Sequence, residues 1–441
     1  MKRKMGFWMC SALVIGNMIG SGIFLLPSSL APFGIHSLWG WALATAGSVC
    51  LAMMFAFLVR AEPAAGGPYA YTRRAYGDFA AYLCAWCYWK AAWIGNAAVA
   101  VTLVGYLKVF VPALANPVAG CLAGVGFIWF FTLVNLMGTR TAGAFGLIMT
   151  LLKLVPLVLV GVAGLLHFDA ANMQAASAQP AGAMSLANMV FQVAALTMWS
   201  FVGLESATVP AEDVVSPEKT IPRATVFGTI FTAVIYIVSV TAIQGMIPAA
   251  DLAKSSAPFA DAAGILFGKT GYLLVAAGAV VACMGTLNGW ALLQGQIPMA
   301  AARDGLFPHS LARLNRHGVP ANGLIASSVL VTLLMAMDFN DNLVGMFNIV
   351  ALLGTLTALI PYGFCAAAQL QILVDEETPV SAREAKRASA TAVLAFLFTL
   401  GAIYGAGRDA AFWTFLVLMA GIPMYTWRQW RNRVEARLAA G

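Results

Sequence analysis

The chain has 441 residues, of which 61% are hydrophobic and only 10% charged, and its net charge is +7. Soluble domains carry roughly 25% charged residues, so this composition excludes a water-soluble globular protein. It indicates one integral membrane domain, 1–441, whose solvent is the lipid bilayer.

About twelve apolar runs are long enough to cross a bilayer, because a membrane-spanning helix needs about 20 apolar residues. Backbone polar groups in lipid must be satisfied within the segment, so each run is predicted to be a helix. The runs cover residues 6–31, 36–60, 78–108, 118–138, 144–166, 186–209, 222–246, 271–298, 320–337, 343–372, 389–406 and 409–427. We therefore predict an all-α polytopic membrane protein with about 12 transmembrane helices.

The loops between these runs alternate in charge. Most of the 25 Lys and Arg residues lie in one alternate set of loops, whereas the other set contains only Lys108, Lys254, Lys269 and Arg408. The positive-inside rule then predicts an even number of spans with both termini in the cytoplasm. The basic excess is a topology signal, and no nucleic-acid partner is expected.

The first run contains Gly16-Asn17-Met18-Ile19-Gly20-Ser21-Gly22. Glycine and polar residues weaken a helix at this depth. Unwinding there would free N–H groups, which could bind a carboxylate at the positive end of the following half-helix. The same segment also fits a close helix–helix contact of the Gly-x-x-x-Gly type, so both interpretations stay open for this segment alone.

The sixth run contains Trp199-Ser200-Phe201-Val202-Gly203-Leu204-Glu205-Ser206. A glycine again interrupts the run, beside an ionisable carboxylate that is expensive inside a membrane. Two interrupted helices at matching positions of two five-helix halves are typical of a secondary transporter built on an inverted repeat. The pair together favours a substrate site at the breaks.

Several sequence blocks resemble a known family, in order over nearly the whole length. They are residues 16–22, 66–71 (Gly-Gly-Pro-Tyr-Ala-Tyr), 88–89, 93–96, 199–206, 256–262, 289–290, 304–308 (Asp-Gly-Leu-Phe-Pro) and 361–362. The chain resembles the amino acid–polyamine–organocation superfamily, most closely the arginine/agmatine antiporters and their basic amino acid/polyamine relatives. The resemblance implies a LeuT-like 5+5 inverted repeat with helices 1 and 6 broken. The first repeat would take 1–166, the second 186–372, two extra helices 389–427 and a cytoplasmic tail 428–441.

The resemblance also implies a substrate site. Backbone groups of residues 20–22 would hold the α-carboxylate, and carbonyls near Trp199 and Val202 would take the α-amino group. Trp199 would stack on the substrate, since a guanidinium packs well on an indole face, and Asn96 would contact the distal guanidinium. The expected substrate-binding residues are Asn17, Ile19, Gly20, Ser21, Gly22, Ala92, Asn96, Trp199, Ser200, Val202, Gly203, Trp290 and Gly354.

The same resemblance implies gates on either side of the site. Tyr88, Trp199, Trp290 and Tyr362 would be gating aromatics, and Glu205 would respond to protonation. Packing in the bundle or in an interfacial belt is the alternative role for each aromatic ring.

Two lysines depart from the antiporter pattern. Lys153 in the fifth run is expected to stand in for a sodium ion and to hydrogen-bond the unwound first helix, with snorkelling to the interface as the alternative. Lys90 is expected to point away from the helix face that carries Tyr88, Ala92 and Asn96, and either to snorkel or to pair with a carboxylate.

The sequence therefore predicts amino-acid transport by alternating access, with arginine/agmatine exchange as the first hypothesis. Gly354 stands where the antiporters have a distal serine, and Ala92 lacks a small polar contact, which weakens the case for arginine. Lysine/cadaverine or ornithine/putrescine antiport and sodium-independent neutral amino-acid exchange or export are the alternatives. A bacterial-type inner (plasma) membrane is the expected location.

Other classes of function fit the sequence less well. An enzyme is not expected, because none of the four histidines pairs with a plausible ligand set. A channel would usually be a symmetric oligomer with pore-lining repeats. No cofactor and no metal are expected, the partner is a small amino acid or amine, and a homodimer remains open.

Overall fold

The computed structural model describes residues 5–63, 66–138, 142–178, 185–209, 211, 214–338, 342–374 and 381–440. Within these ranges the regular secondary structure is helical, and β-structure is limited to an isolated β-bridge between Met5 and Val214.

Sixteen α-helices occur in the described ranges. Those of the first half are α1 (Phe7–Met18), α2 (Ser21–Leu30), α3 (Ser37–Ala61), α4 (Pro68–Leu107), α5 (Pro117–Leu136), α6 (Ala142–Gly164), α7 (Ala170–Ala178) and α8 (Leu186–Met198). Those of the second half are α9 (Pro217–Met246), α10 (Ala249–Leu252), α11 (Pro258–Arg303), α12 (Ala321–Asp338), α13 (Leu343–Val374), α14 (Ala382–Gly405), α15 (Arg408–Met419) and α16 (Gly421–Ala440). Short 3₁₀ turns are Ala31–His36, Pro112–Ala115, Leu165–His167, Trp199–Phe201, Ser206–Thr208 and His309–Ala312.

The helices have the length and composition of a membrane protein. In the described ranges, 9 helical segments are long and apolar enough to cross a bilayer, and Phe7–Met18, Leu152–His167 and Ala321–Met337 are shorter apolar helices. The first crossing is divided between α1 and α2. The prediction of an all-α polytopic membrane protein is confirmed.

Two helices extend well beyond the apolar runs that predict them. The third apolar run covers 78–108, but α4 begins at Pro68 and turns at Gly77, whose φ is +74°. The eighth apolar run covers 271–298, but α11 begins at Pro258 and turns at Gly268, whose φ is +64°. Left-handed φ values favour glycine, so each glycine lets a short amphipathic helix join the membrane helix at an angle.

The N-terminal segment and two loops lie on one face of the molecule. The backbone N–H of Val215 donates to the carbonyl of Met5 at 2.9 Å, and the N–H of Gly66 donates to the carbonyl of Val209 at 3.3 Å. These contacts join the entry to α1, the loop before α4 and the loop before α9.

A polar cluster, the Asp304 network, extends this face. The Tyr69 hydroxyl donates to Asp304 Oδ2 at 2.6 Å, and Arg73 forms ion pairs with Asp304 at 2.8 Å and with Asp78 at 2.9 Å. The carbonyl of Gly305 accepts from Asn432 Nδ2 at 2.9 Å. The C-terminal helix α16 therefore lies on the same face as the N-terminal segment.

Candidate functional site

The first crossing is interrupted between α1 and α2. Ile19 has φ −76° and ψ 89°, and Gly20 has φ −130° and ψ −147°, so neither residue is helical. The Gly20 N–H bonds the carbonyl of Met18 at 2.9 Å and leaves the Gly16 carbonyl without its helical partner. No side chain caps α2, which begins at Ser21. Its first N–H groups therefore lack intrahelical partners and present positive potential to the gap.

The sixth crossing is interrupted after Met198. One 3₁₀ turn follows, and the chain then turns at Gly203, whose φ is +108°. A Cβ built on Gly203 would lie 3.2 Å from the backbone carbonyl carbon and from Cβ of Asn17. Glycine is thus required here for its conformation and for close approach. The two breaks face each other.

Glu205 joins three elements at the second break. The carboxylate is fully buried and accepts a hydrogen bond from the Tyr88 hydroxyl at 2.7 Å and another from the Gly203 N–H at 3.1 Å. The Tyr362 hydroxyl donates to its other side. We call Tyr88, Glu205 and Tyr362 the Glu205 cluster; it connects α4, the sixth crossing and α13.

The Trp199 indole lies in a slot formed by glycines of three helices. A Cβ on Gly95 would lie 2.7 Å from Cη2, one on Gly354 2.8 Å from Cζ3, and one on Gly22 2.9 Å from Cδ1. Contacts this short do not occur between real side chains, so the ring fits only because all three positions lack one. We call this arrangement the Trp199 slot.

Three buried side-chain oxygens around the breaks have no hydrogen-bond partner within the described part of the chain. They are Ser21 Oγ, Ser200 Oγ and Asn96 Oδ1, and their residues are at most 2% exposed. Leaving such a group unpaired costs about 1–3 kcal/mol, and most buried polar groups in proteins are paired. Other buried hydroxyls, such as those of Thr229 and Tyr236 on α9, are also unpartnered, so it is the position of these three oxygens near the helix breaks that suits a polar ligand.

Lys153 lies beside the first break and is 4% exposed. Its Nζ donates to the Gly16 carbonyl at 3.1 Å and to Thr286 Oγ1 at 2.8 Å. The carbonyl that the break releases is therefore taken by an ammonium from α6, which α11 holds in place. The side chain does not snorkel to an interface.

Lys90 lies elsewhere and differs from both expected arrangements. Its Nζ is 3.8 Å from the ring centroid of Trp86, 4.3 Å from that of Trp89 and 5.6 Å from that of Trp93. The residue is 9% exposed, and no carboxylate of the described residues forms an ion pair with it. Cation–π attraction takes the place of a carboxylate, which corrects the expectation of snorkelling or ion pairing.

The remaining predicted residues lie at different distances from the breaks. Trp290 is buried on α11, next to Gly289, whose Cβ would lie 3.7 Å from Asn17 Oδ1. Ala92 is buried on α4, and its carbonyl accepts from Gln294 Nε2 at 3.5 Å. The substrate-binding and gating roles of all these residues stay predictions.

Sequence reasoning missed two members of this region. Thr286 holds Lys153, and Gly95 forms one wall of the Trp199 slot. A hydroxyl inside the eighth apolar run was the available signal for Thr286. Gly95 lies next to Asn96 in the block 93–96, but nothing in the sequence shows which ring it faces.

The model of the amino acid permease family matches residues 5–427. The chain belongs to the amino acid permease family. The permease is accordingly a transporter and not an enzyme, and the expected family is confirmed.

Curated relatives of the permease are named as antiporters and polyamine transporters. A cadaverine/lysine antiporter of Escherichia coli (strain K12) is 35% identical over 368 residues, 82% of each chain. The putrescine transporter PotE of Haemophilus influenzae is 31% identical over 422 residues, 96% of each chain. The PotE of Escherichia coli (strain K12) is also 31% identical, over 96% of the permease and 95% of its own length.

Proposed function

We propose that the permease exchanges a cationic amino acid for the corresponding amine, with lysine and cadaverine as the favoured pair. The names of its relatives support exchange within the amino acid and polyamine class. They favour lysine/cadaverine over arginine/agmatine, in line with Gly354 in place of a hydroxyl that could bind a guanidinium.

The observation that carries the proposal is the set of unpartnered polar groups at the two breaks. The first N–H groups of α2 suit a carboxylate. Asn96 Oδ1 is an acceptor suited to an ammonium. An amino acid would use both ends of this site, whereas its amine would use the ammonium end alone. An exchanger of this kind must accept both solutes, which share the ammonium group and differ in whether they carry a carboxylate.

Alternating access requires that one face be closed while the other opens. The Glu205 cluster and the Asp304 network each join separate helices by side-chain hydrogen bonds, and we propose that they hold closed the face carrying the basic loops. The positive-inside rule supports assigning this face, with both termini, to the cytoplasm. In the proposed cycle, these hydrogen bonds break and re-form each time the substrate passes to that side.

Reconstituted exchange tests the proposal. Purified permease in liposomes should take up radiolabelled lysine when the lumen holds cadaverine, and take up much less when the lumen is empty. Lumenal agmatine with external arginine is the matched comparison, and replacement of sodium by choline should leave the rate unchanged. A failure of every amine to drive uptake would overturn exchange, and faster arginine/agmatine exchange would overturn the favoured pair.

A further inference from the structure

A cleft of about 1020 Å³ opens where four helix ends meet, away from the breaks. Its walls come from α1, the end of α3, the start of α9 and the start of α14. Phe7 stands two residues after Met5, so the cleft opens near the face that carries the N-terminal segment and the loop before α9. We call it the arginine cleft.

Three guanidinium groups line the arginine cleft, from Arg60, Arg223 and Arg387. Arg223 lies with its guanidinium carbon 5.7 Å from the ring centroid of Phe7. No carboxylate in the described ranges forms an ion pair with any of the three. The one acidic lining residue, Glu384, is engaged by Ser381 at the start of α14, at 3.1 Å. The cleft therefore has an excess of positive charge.

Apart from Thr391, whose hydroxyl donates to the Ala388 carbonyl, the rest of the lining is apolar, and an apolar surface continues down the outside of α9. Phe227, Ile230, Phe231 and Val234 are exposed by 39%, 46%, 37% and 57%. Their spacing of three, four and seven residues places them on one stripe of the helix. Met53 on α3 is 43% exposed beside the cleft. An apolar stripe below a basic pocket offers one surface to an acyl chain and another to a headgroup.

We propose that the arginine cleft binds an anionic phospholipid, with its phosphate on the guanidinium groups and one acyl chain along the α9 stripe. The planar guanidinium group of arginine can donate two parallel hydrogen bonds to phosphate oxygens, and its positive charge complements the phosphate. Basic pockets between transmembrane helices bind anionic lipid headgroups. The ligand would join α1, which is half of the broken first crossing, to α3, α9 and α14. This site is separate from the proposed exchange of amino acids and does not depend on it.

Lipid binding to the purified permease tests the proposal. Fluorescent phosphatidylglycerol should bind in detergent more tightly than phosphatidylcholine with the same acyl chains. The triple variant Arg60→Gln, Arg223→Gln, Arg387→Gln should lose roughly tenfold or more in affinity for phosphatidylglycerol, since each basic residue near a membrane surface contributes to anionic lipid binding. Equal binding of the two lipids by the unmodified protein would overturn the proposal.

A second triple variant separates this site from diffuse charge. Arg303→Gln, Arg313→Gln, Arg316→Gln removes the same charge from exposed positions outside the cleft. It should bind phosphatidylglycerol like the unmodified protein. Equal losses in both triple variants would show that net charge alone attracts the lipid, and would contradict a built site.

Glu384→Gln keeps the proposal testable if a triple variant does not fold. Removing the only carboxylate among the lining residues should tighten phosphatidylglycerol binding, and unchanged affinity would count against the site. Added inorganic phosphate should not displace the lipid, since it lacks the acyl chain; displacement would indicate a free-anion site instead. If the arginine cleft instead bound a second copy of the chain, the triple variant of Arg60, Arg223 and Arg387 would change the mass of the purified particle measured by light scattering. Its affinity for phosphatidylglycerol would stay unchanged, and that result would overturn the proposal.

Discussion

Trp199 depends on glycines that lie far apart in the chain. The indole ring is rigid, so a Cβ added at Gly354 or Gly95 would clash with it and displace Trp199 from its slot. If the indole forms part of the substrate site, its position matters for transport more than for folding.

We expect Gly354→Ala and Gly95→Ala each to lower the initial rate of lysine/cadaverine exchange about tenfold, since overpacking typically costs 1–3 kcal/mol. Intrinsic tryptophan fluorescence should shift as the ring moves. Gly126→Ala on α5 is the matched control, because a Cβ there meets nothing within 4 Å. An unchanged exchange rate in Gly354→Ala would argue against the slot.

Lys153 satisfies a carbonyl that the first break exposes. Lys153→Met removes the donor and leaves the Gly16 carbonyl and Thr286 hydroxyl in an apolar setting. We expect a lower thermal midpoint, from the loss of about 1–3 kcal/mol, and slow exchange. Thr286→Val removes one of the two contacts and should have a smaller effect on both measurements. Wild-type stability in Lys153→Met would contradict a supporting role at the break.

At the scale of helices, the indoles of Trp86, Trp89 and Trp93 surround the Lys90 ammonium, and we call this arrangement the Lys90 cage. It lies where α4 meets two neighbouring helices. Trp86 Nε1 donates to the Val417 carbonyl of α15 at 2.7 Å, and Trp89 Nε1 donates to Ser327 Oγ of α12 at 2.8 Å. The indoles are thus fixed by hydrogen bonds at their edges while their faces meet the ammonium. The Lys90 cage therefore connects α4, α12 and α15 around one positive charge.

Replacing that ammonium by a similar apolar chain should be tolerated. Burying an ammonium at mid-membrane depth costs roughly 2.5–3.5 kcal/mol, about what cation–π contacts of 2 kcal/mol or more return. We expect Lys90→Met to keep the thermal midpoint and the exchange rate near wild type. Lys90→Ala leaves a void and should lower the midpoint. A large loss of exchange in Lys90→Met, with the fold intact, would give the charge a role in transport.

The sequence allows some of these elements to be predicted and not others. The breaks at Gly20 and Gly203 were visible because glycine and polar residues interrupt apolar runs. The turns at Gly77 and Gly268 could not be predicted, because single glycines are common in membrane helices and the sequence does not reveal their φ values. Lys90 carried a usable signal, tryptophans at i−4, i−1 and i+3. Helix periodicity predicted which way it points, but not that these rings close around it.

For the whole molecule, we predict that the Glu205 cluster holds one face closed, because its hydrogen bonds join α4, the sixth crossing and α13. The double variant Tyr88→Phe, Tyr362→Phe removes both hydroxyl donors and leaves Glu205 with the Gly203 N–H. A two-state equilibrium should then shift towards opening of this face, by about tenfold for each 1.4 kcal/mol lost.

Native cysteines report that opening. Cys84 stands four residues before Tyr88 and Cys365 three residues after Tyr362, and both are fully buried. A polar thiol reagent should label them faster in the double variant, as mass spectrometry of the labelled peptides would measure. Cys50, half-buried on α3, is the internal control. Equal labelling of Cys84 and Cys365 in both proteins would contradict the cluster's role in closure.

The C-terminal helix reaches back to the loop that follows α11. Arg428 Nε and Asn432 Nδ2 both donate to the Gly305 carbonyl, at 3.3 and 2.9 Å, one residue from the carboxylate that Tyr69 and Arg73 hold. A fluorophore attached to α16 would therefore move with the loop that follows α11, away from the two helix breaks. Its distance to a second dye on the opposite face would give a single-molecule record of each turnover.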